Sequence, residues 1–339
     1  MSADIIPLKR GPAATPSLAP ILSLTATAMN SVNQVILARM QSEIPLIPAL
    51  AGHLISGGGK RMRPMLTLAG AEVLGYHGTR HHTLAAAVEF IHTATLLHDD
   101  VVDGSETRRG KQTANIVFGN PATVLVGDFL FSRAFELMVE DGSLKVLKIL
   151  SGASAIIAQG EVDQLVSQRR IETSEERYLH IIGDKTAALF AAASRIAAVV
   201  AERGEEEECA LDDYGRNLGI AFQLVDDALD YDSSAAEMGK DRGDDFREGK
   251  MTLPVILAYA RGTEEERSFW RDAVAGFTNS DEDLAHAVDL IGRHNAVNDT
   301  RERARHFAQR ACDALSIFPD SKARSAMIEA AMFAVSRGY

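Results

Sequence analysis

Two Asp-Asp-x-x-Asp clusters are the residues in this chain best able to do chemistry. Asp99, Asp100 and Asp103 lie in TATLLHDDVVDGSETRRGK, and Asp226, Asp227 and Asp230 lie 127 positions later in AFQLVDDALDY. At helical spacing Asp99 and Asp103 share a face, as do Asp226 and Asp230. Like charges four residues apart repel and weaken an isolated helix. An arrangement of that kind, present twice, predicts a cation between the clusters. Hard oxygen ligands at this density suit Mg2+, which takes a few carboxylates together with phosphate oxygens of a ligand. All six Asp are therefore candidate metal ligands. Apolar runs at 93–97 and 221–225 precede the clusters and place the carboxylates at the mouth of a buried slot, where unpaired charge is costly.

Basic groups accompany them. In GGGKRMRP (57–64) the glycines allow backbone N–H groups to approach an anion, and Lys60, Arg61 and Arg63 supply charge. Pro64 suits the first turn of a following helix, whose positive end adds to the same site. The GxxxxGK[ST] order of a P-loop is absent. Arg108 and Arg109 follow the first Asp cluster directly, so metal on one side and guanidinium on the other would make a diphosphate clamp. Lys185 and Thr186 interrupt the apolar run IIGDKTAALFAAASRIAAVV. Gln223 precedes Asp226 by three residues, His92 precedes Asp99 by seven, and Lys240 and Lys250 bracket Asp241, Asp244 and Asp245.

The elements that must position these groups read as helices. Apolar stripes at helical period run through 81–103, 121–139, 144–165, 174–201 and 207–232. Asp-Gly at 103–104 and 141–142 and Arg-Gly at 203–204 fall between them as stops. No sustained alternation predicts a sheet. Residues 233–254 read as a polar loop, and shorter helices follow from 255. Prolines at 7, 12, 16 and 20 mark an irregular N-terminal arm over 1–20, leaving 21–339 as a single helical domain.

The 339 residues are 46% hydrophobic, enough for one substantial core, and the net charge of −12 argues against a nucleic-acid binder. Cys209 and Cys312 are far apart, without metal-type spacing, and read as reduced thiols of a cytoplasmic protein. No apolar run reaches the roughly 18 residues of a membrane span.

The order GGKRMRP, FIHTATLLHDDVVD…RRGK, GDKTAALF, AFQLVDDALDY, GKDRGDDFREGKMTLP resembles the all-trans polyprenyl diphosphate synthases over about residues 30–260. The resemblance implies an all-α helical bundle around a deep central cavity, usually a homodimer. It implies Mg2+ and an allylic diphosphate (geranyl or farnesyl) at the two Asp motifs. By position, Asp99 and Asp103 would bind metal on one wall with Asp100 beside them. Asp226, with Asp230 through water and Asp227 beside, would serve the other. Lys60, Arg63, His92 and Arg109 match the family's isopentenyl diphosphate site, and Arg108 an allylic diphosphate contact. Lys185, Thr186, Gln223 and Lys240 match residues that hold the leaving diphosphate and line the cation, with Lys250 less direct. Gly104, where an acidic residue is commoner, and the extra Gly57 depart from the pattern without touching a proposed ligand.

The implied reaction ionises the allylic C–O bond, lets the double bond of isopentenyl diphosphate attack, and returns a proton to the departing diphosphate. Product length should depend on the helix below Asp99. Thr95 and Ala94 sit about one turn down, Ile91 and Val88 further. In short-chain relatives a bulky aromatic forms a floor there. The small residues here predict an open channel and a product of eight to ten isoprene units, of the kind used for a quinone side chain. A short-chain farnesyl or geranylgeranyl synthase is the nearest alternative. A class I terpene cyclase would lack GGKRMRP and carry a different second metal motif, and a non-catalytic subunit would have eroded Asp motifs. At most peripheral association with a membrane is expected, as no amphipathic basic helix is evident.

Overall fold

The apolar stripes form α-helices throughout the computed structural model, which describes residues 15–56, 59–108, 110–232, 243–275 and 280–336. Arg109, Lys240 and Gly57 lie outside the described residues. The elements run α1 (Ala19–Arg39), α2 (Leu46–Ser56), α3 (Met62–Val73), α4 (Arg80–Val102), α5 (Ala114–Phe118), α6 (Asn120–Asp141), α7 (Leu144–Ser167), α8 (Glu175–Ile182), α9 (Ala188–Val200) and α10 (Glu205–Asp230). They continue with α11 (Asp244–Glu248), α12 (Leu253–Arg261), α13 (Glu264–Ala275), α14 (Asp281–Arg293), α15 (Ala296–Ala314) and α16 (Lys322–Ser336). The fold is all-α. Its one described pair of strands is a two-residue ribbon, β1 (Thr107–Arg108) with β2 (Lys111–Gln112).

The stop signals act as read. Gly104 and Gly142 adopt φ of +64° and +76°, a region that costs glycine little. Gly204 caps α10, and Glu205 to Glu208 fill its first turn, where the helix dipole favours negative charge. Two expectations change. The segment 233–254 is not all loop, because Asp244–Glu248 forms a helical turn closed by Gly249 at φ +72° and α12 starts at Leu253. One helix, α1, has the length and mean hydropathy (1.3) to cross a membrane by composition. Its Thr, Asn, Ser and Gln residues break the apolar run but are averaged in the mean. Of that stretch 22% is buried inside the protein, and α1 packs on α3, α4 and α16.

The core has three connected regions. One lies between α4, α6, α7 and α9, one between α10, α12, α14 and α15, and one joins α1, α3 and α16 to α10. The Asp motifs fall at the C-terminal ends of α4 and α10. Between the two sits a π-helical turn, Gly183–Ala187, leading into α9. Such turns occur mostly as single insertions at functional positions. Two glycines let neighbours close on it. A Cβ on Gly160 of α7 would lie 2.7 Å from the Lys185 N, and one on Gly219 of α10 would lie 2.6 Å from the Ala187 Cα.

Candidate active site

The first motif ends α4, with Asp103 as its C-cap. Asp99 lies 3.9 Å from Lys185 Nζ, and Asp103 Oδ2 accepts from Lys250 Nζ at 3.2 Å. The two lysines come from the π turn and from the segment after α11, so three separate pieces of chain converge here. Burial raises the Asp99 pKa, with Asp103 adding to the shift and Lys185, Arg108 and Lys250 opposing it. Lys185 also donates to Glu161 Oε2 of α7 at 2.7 Å. Burial pushes Glu161 up to about 7 against the pull of that ammonium. Burial disfavours the charge on Lys250, but Asp245, Glu248 and Asp103 outweigh it and hold the pKa above its ordinary value.

Asp100 turns the other way. It is buried, and its Oδ1 accepts from Arg108 Nε and Nη2 at 2.9 and 2.7 Å. Asn115 donates to the carbonyls of Asp100 and Ser105 and ties the loop back to the helix end. The second motif divides in the same way. Asp226 is exposed and Asp230 half-buried, whereas Asp227 is buried. Asp227 accepts from the Tyr178 hydroxyl on Oδ2 and from Gln223 Nε2 on Oδ1, the latter at 2.7 Å. Gln223 Oε1 accepts in turn from Thr186 Oγ1 at 2.9 Å. Burial pushes Asp227 up to about 7, while the bonds from Tyr178 and Gln223 pull it down. Asp230 is pushed up to about 6, first by burial and then by Asp244, and the Asp245 N–H donates to it at 3.3 Å. Asp245 is half-buried, and burial together with Asp227 and Asp230 holds its pKa well above the ordinary range.

Asp100 and Asp227 are set apart from the other four Asp of the motifs. Both are buried and already accept from protein donors. On a helix the middle Asp lies about 100° from the first Asp of its motif and about 60° from the third, so neighbouring helices and loops decide which way it turns. Asp99, Asp103, Asp226 and Asp230 remain as hard oxygen donors near the cleft. Burial raises the pKa of Asp99 and Asp230, and a divalent cation beside them would offset that cost. Among the described residues no three Asp, Glu, His or Cys side chains form a cage on their own.

The basic groups form a second cluster. Arg63 Nη1 donates to His92 Nε2 at 2.9 Å, and its guanidinium lies 4.4 Å over the Phe190 ring. Lys60 Nζ lies 5.2 Å over the Phe333 ring of α16. Arg61 adopts φ +46° ahead of α3, with its Nε 4.0 Å from Glu89. A cavity of about 350 Å³ adjoins this cluster, lined by Gly59, Lys60, Arg61, Met65 and residues of α1. Another, of about 110 Å³, is lined by Tyr178, Lys185, Thr186, Gln223, Asp227, Asp245 and Lys250.

The expected open channel is closed in this conformation. Ala94, Ile91 and Val88 have no exposed surface and belong to the core shared with α6, α7 and α9. Thr95 is half-buried and donates to the His92 carbonyl at 2.8 Å. Small side chains let helices approach as readily as they leave space. The sequence reading missed Glu161 and Tyr178. A Glu beside Gly160 in an apolar stretch, and a Tyr one heptad before Lys185, were the signals available.

Comparison with known proteins accords with this geometry. The family model described as polyprenyl synthetase matches residues 44–291. The octaprenyl diphosphate synthase of Escherichia coli K12 is 47% identical over 95% of this chain and 99% of its own. A polyprenyl synthase from Caulobacter crescentus, solved with calcium and isoprenyl diphosphate, superposes with a TM-score of 0.93 at 51% identity, covering 96% of this chain and 99% of that one. A decaprenyl diphosphate synthase from Rhodobacter capsulatus gives 0.91 at 48% identity, covering 95% and 99%. Family model, curated relative and solved structures agree along nearly the whole chain, and with two Asp motifs meeting across lysines at the helix ends, the protein belongs to the polyprenyl synthetase family.

Proposed function

We propose that the protein is a long-chain all-trans prenyltransferase that adds isopentenyl diphosphate units head-to-tail to geranyl or farnesyl diphosphate. The product would have eight to ten isoprene units and serve as a quinone side chain. One observation carries the reading. Lys185 and Lys250, from separate segments, both reach the first Asp motif, so carboxylates and ammonium groups line one cleft with apolar core beneath. Similarity in sequence to the octaprenyl diphosphate synthase and in structure to the decaprenyl diphosphate synthase supports the long chain.

In this reading Asp99 and Asp103 on one wall, and Asp226 and Asp230 on the other, would hold Mg2+. When bound, that cation supplies positive charge to the departing diphosphate. Lys185, Lys250 and Lys240 bind the same diphosphate and offset the charge that develops as the allylic C–O electron pair leaves on it. Thr186 and Gln223 line the allylic cation, and the surrounding apolar wall keeps water from it. Lys60, Arg63, His92 and Arg109 grip isopentenyl diphosphate so that its double bond faces the cation. After the new C–C bond forms, the proton lost from the adduct goes to the released diphosphate, and a new double bond remains.

The growing lipid would part the contacts around Ala94, Ile91 and Val88. The partner would be a second copy of this chain. Large apolar side chains stand exposed on α6 and α7, including Leu125, Phe135, Val139, Leu144 and Leu165, and an apolar face of this size suits an isologous dimer.

Product analysis tests the reading. Purified protein with radiolabelled isopentenyl diphosphate, farnesyl diphosphate and Mg2+ should yield a ladder of polyprenols ending in one long species. Ala94→Phe should end the ladder earlier. No incorporation would refute the transferase, and unchanged length in Ala94→Phe would refute the floor.

A further inference from the structure

We propose that Tyr178 is a positioning residue of the transfer site, acting through Asp227 to fix which way the Gln223 amide and the Thr186 hydroxyl face the cavity. The inference rests on the function proposed above. Tyr178 is buried on α8, a helix that carries neither Asp motif. Its hydroxyl donates to Asp227 Oδ2. Asp227 Oδ1 accepts from Gln223 Nε2, and Gln223 Oε1 accepts from Thr186 Oγ1. All four residues line the cavity of about 110 Å³ together with Lys185.

The chemistry of the donors gives this chain of bonds one direction. Ionised, Asp227 only accepts. The amide NH2 of Gln223 must therefore face Asp227, its oxygen must face Thr186, and Thr186 must donate. The Thr186 oxygen lone pairs, rather than its proton, are then left towards the cavity. That polarity suits a site where an allylic cation forms, because a reversed amide would turn a hydroxyl proton towards the positive charge. Among the described residues, Tyr178 is one of two side-chain donors that anchor Asp227. It also ties α8 to α10, whose contact with the π turn sets the spacing between Gln223 and Thr186. With that donor removed, Asp227 is held from one side only and the amide is free to turn over.

A double-variant cycle on the full chain, with isopentenyl diphosphate, farnesyl diphosphate and Mg2+, tests this. Tyr178→Phe keeps the ring and removes the donor. We expect kcat to fall about tenfold, as for loss of one hydrogen bond to a charged group, with KM for isopentenyl diphosphate unchanged. In a Gln223→Leu background the same change should lower kcat less than about twofold, because the chain is already cut. A full loss in both backgrounds, or an unchanged kcat, would overturn the proposal. Should Tyr178→Phe fail to fold, Asp227→Asn is compared with Asp227→Leu. Asn still accepts from Gln223 while Tyr178 turns to accept from its amide, so it should keep about tenfold more activity than Leu. Equal rates overturn the proposal. Wild-type protein that elongates nothing would instead refute the transferase reading itself.

Discussion

The two Asp-Asp-x-x-Asp motifs have the same spacing but different electrostatic settings. In the first, each carboxylate has a basic neighbour: Lys185 for Asp99, Arg108 for Asp100 and Lys250 for Asp103. In the second, Asp227 rests on neutral donors, Tyr178 and Gln223, and Asp230 on a backbone N–H. Asp245 crowds both. Ammonium and guanidinium groups neutralise charge, whereas hydroxyl, amide and peptide donors only solvate it. The values of about 7 and 6 at Asp227 and Asp230 come first from burial, with neighbouring carboxylates adding to it and these donors only partly offsetting it. Asp227 and Asp230 are thus carboxylates whose charge depends more on what binds.

The largest expected effect tests the division within a motif. Asp99→Asn should lower kcat about a thousandfold, as for loss of a group that stabilises transition-state charge. Asp100→Asn should cost about ten- to a hundredfold, as for a residue that holds another in place. Steady-state rates decide it, and equal losses would erase the distinction between outward and inward Asp.

A smaller effect separates the two walls by pH. Asp227, Asp230 and Glu161 hold protons more tightly when folded than when unfolded. Between the unfolded carboxyl value of about 4 and the folded values, the native state binds more protons, so stability falls as pH rises through that range. Metal-free protein should therefore melt at a higher temperature at about pH 5.5 than at about pH 8, and Mg2+ should narrow the gap at the higher pH. A melting temperature that rises with pH in chelator would contradict the assignment.

The smallest effect concerns the lysine between the walls. Lys250→Met leaves Asp103, Asp245 and Glu248 without their shared cation. The metal-free melting temperature should drop by about 2–4 °C, with less loss in Mg2+. An identical drop in both conditions, seen by calorimetry, would show that Lys250 acts only in packing.

Much of this was legible in the chain. Helical period, Asp-Gly stops and the five-residue spacing of each motif are local properties, and they fixed α4, α6, α7 and α10 to within a few residues. The resemblance added roles for Lys185, Thr186 and Gln223, which the structure brings to one cavity. The break at 233–254 was read too simply, because a turn of helix capped by glycines at both ends looks polar and irregular in sequence.

Other features were decided by packing. Which Asp of a pair faces the cleft depends on where neighbouring helices lie, and Tyr178 and Arg108 become partners only when α8 and the β1–β2 ribbon arrive. Glu161 meets Lys185 because Gly160 lets α7 close on the π turn. The closed floor at Ala94, Ile91 and Val88 has the same origin. A small side chain specifies a permissible distance between helices, and only the tertiary structure determines whether that distance is filled by a neighbour or left for a lipid.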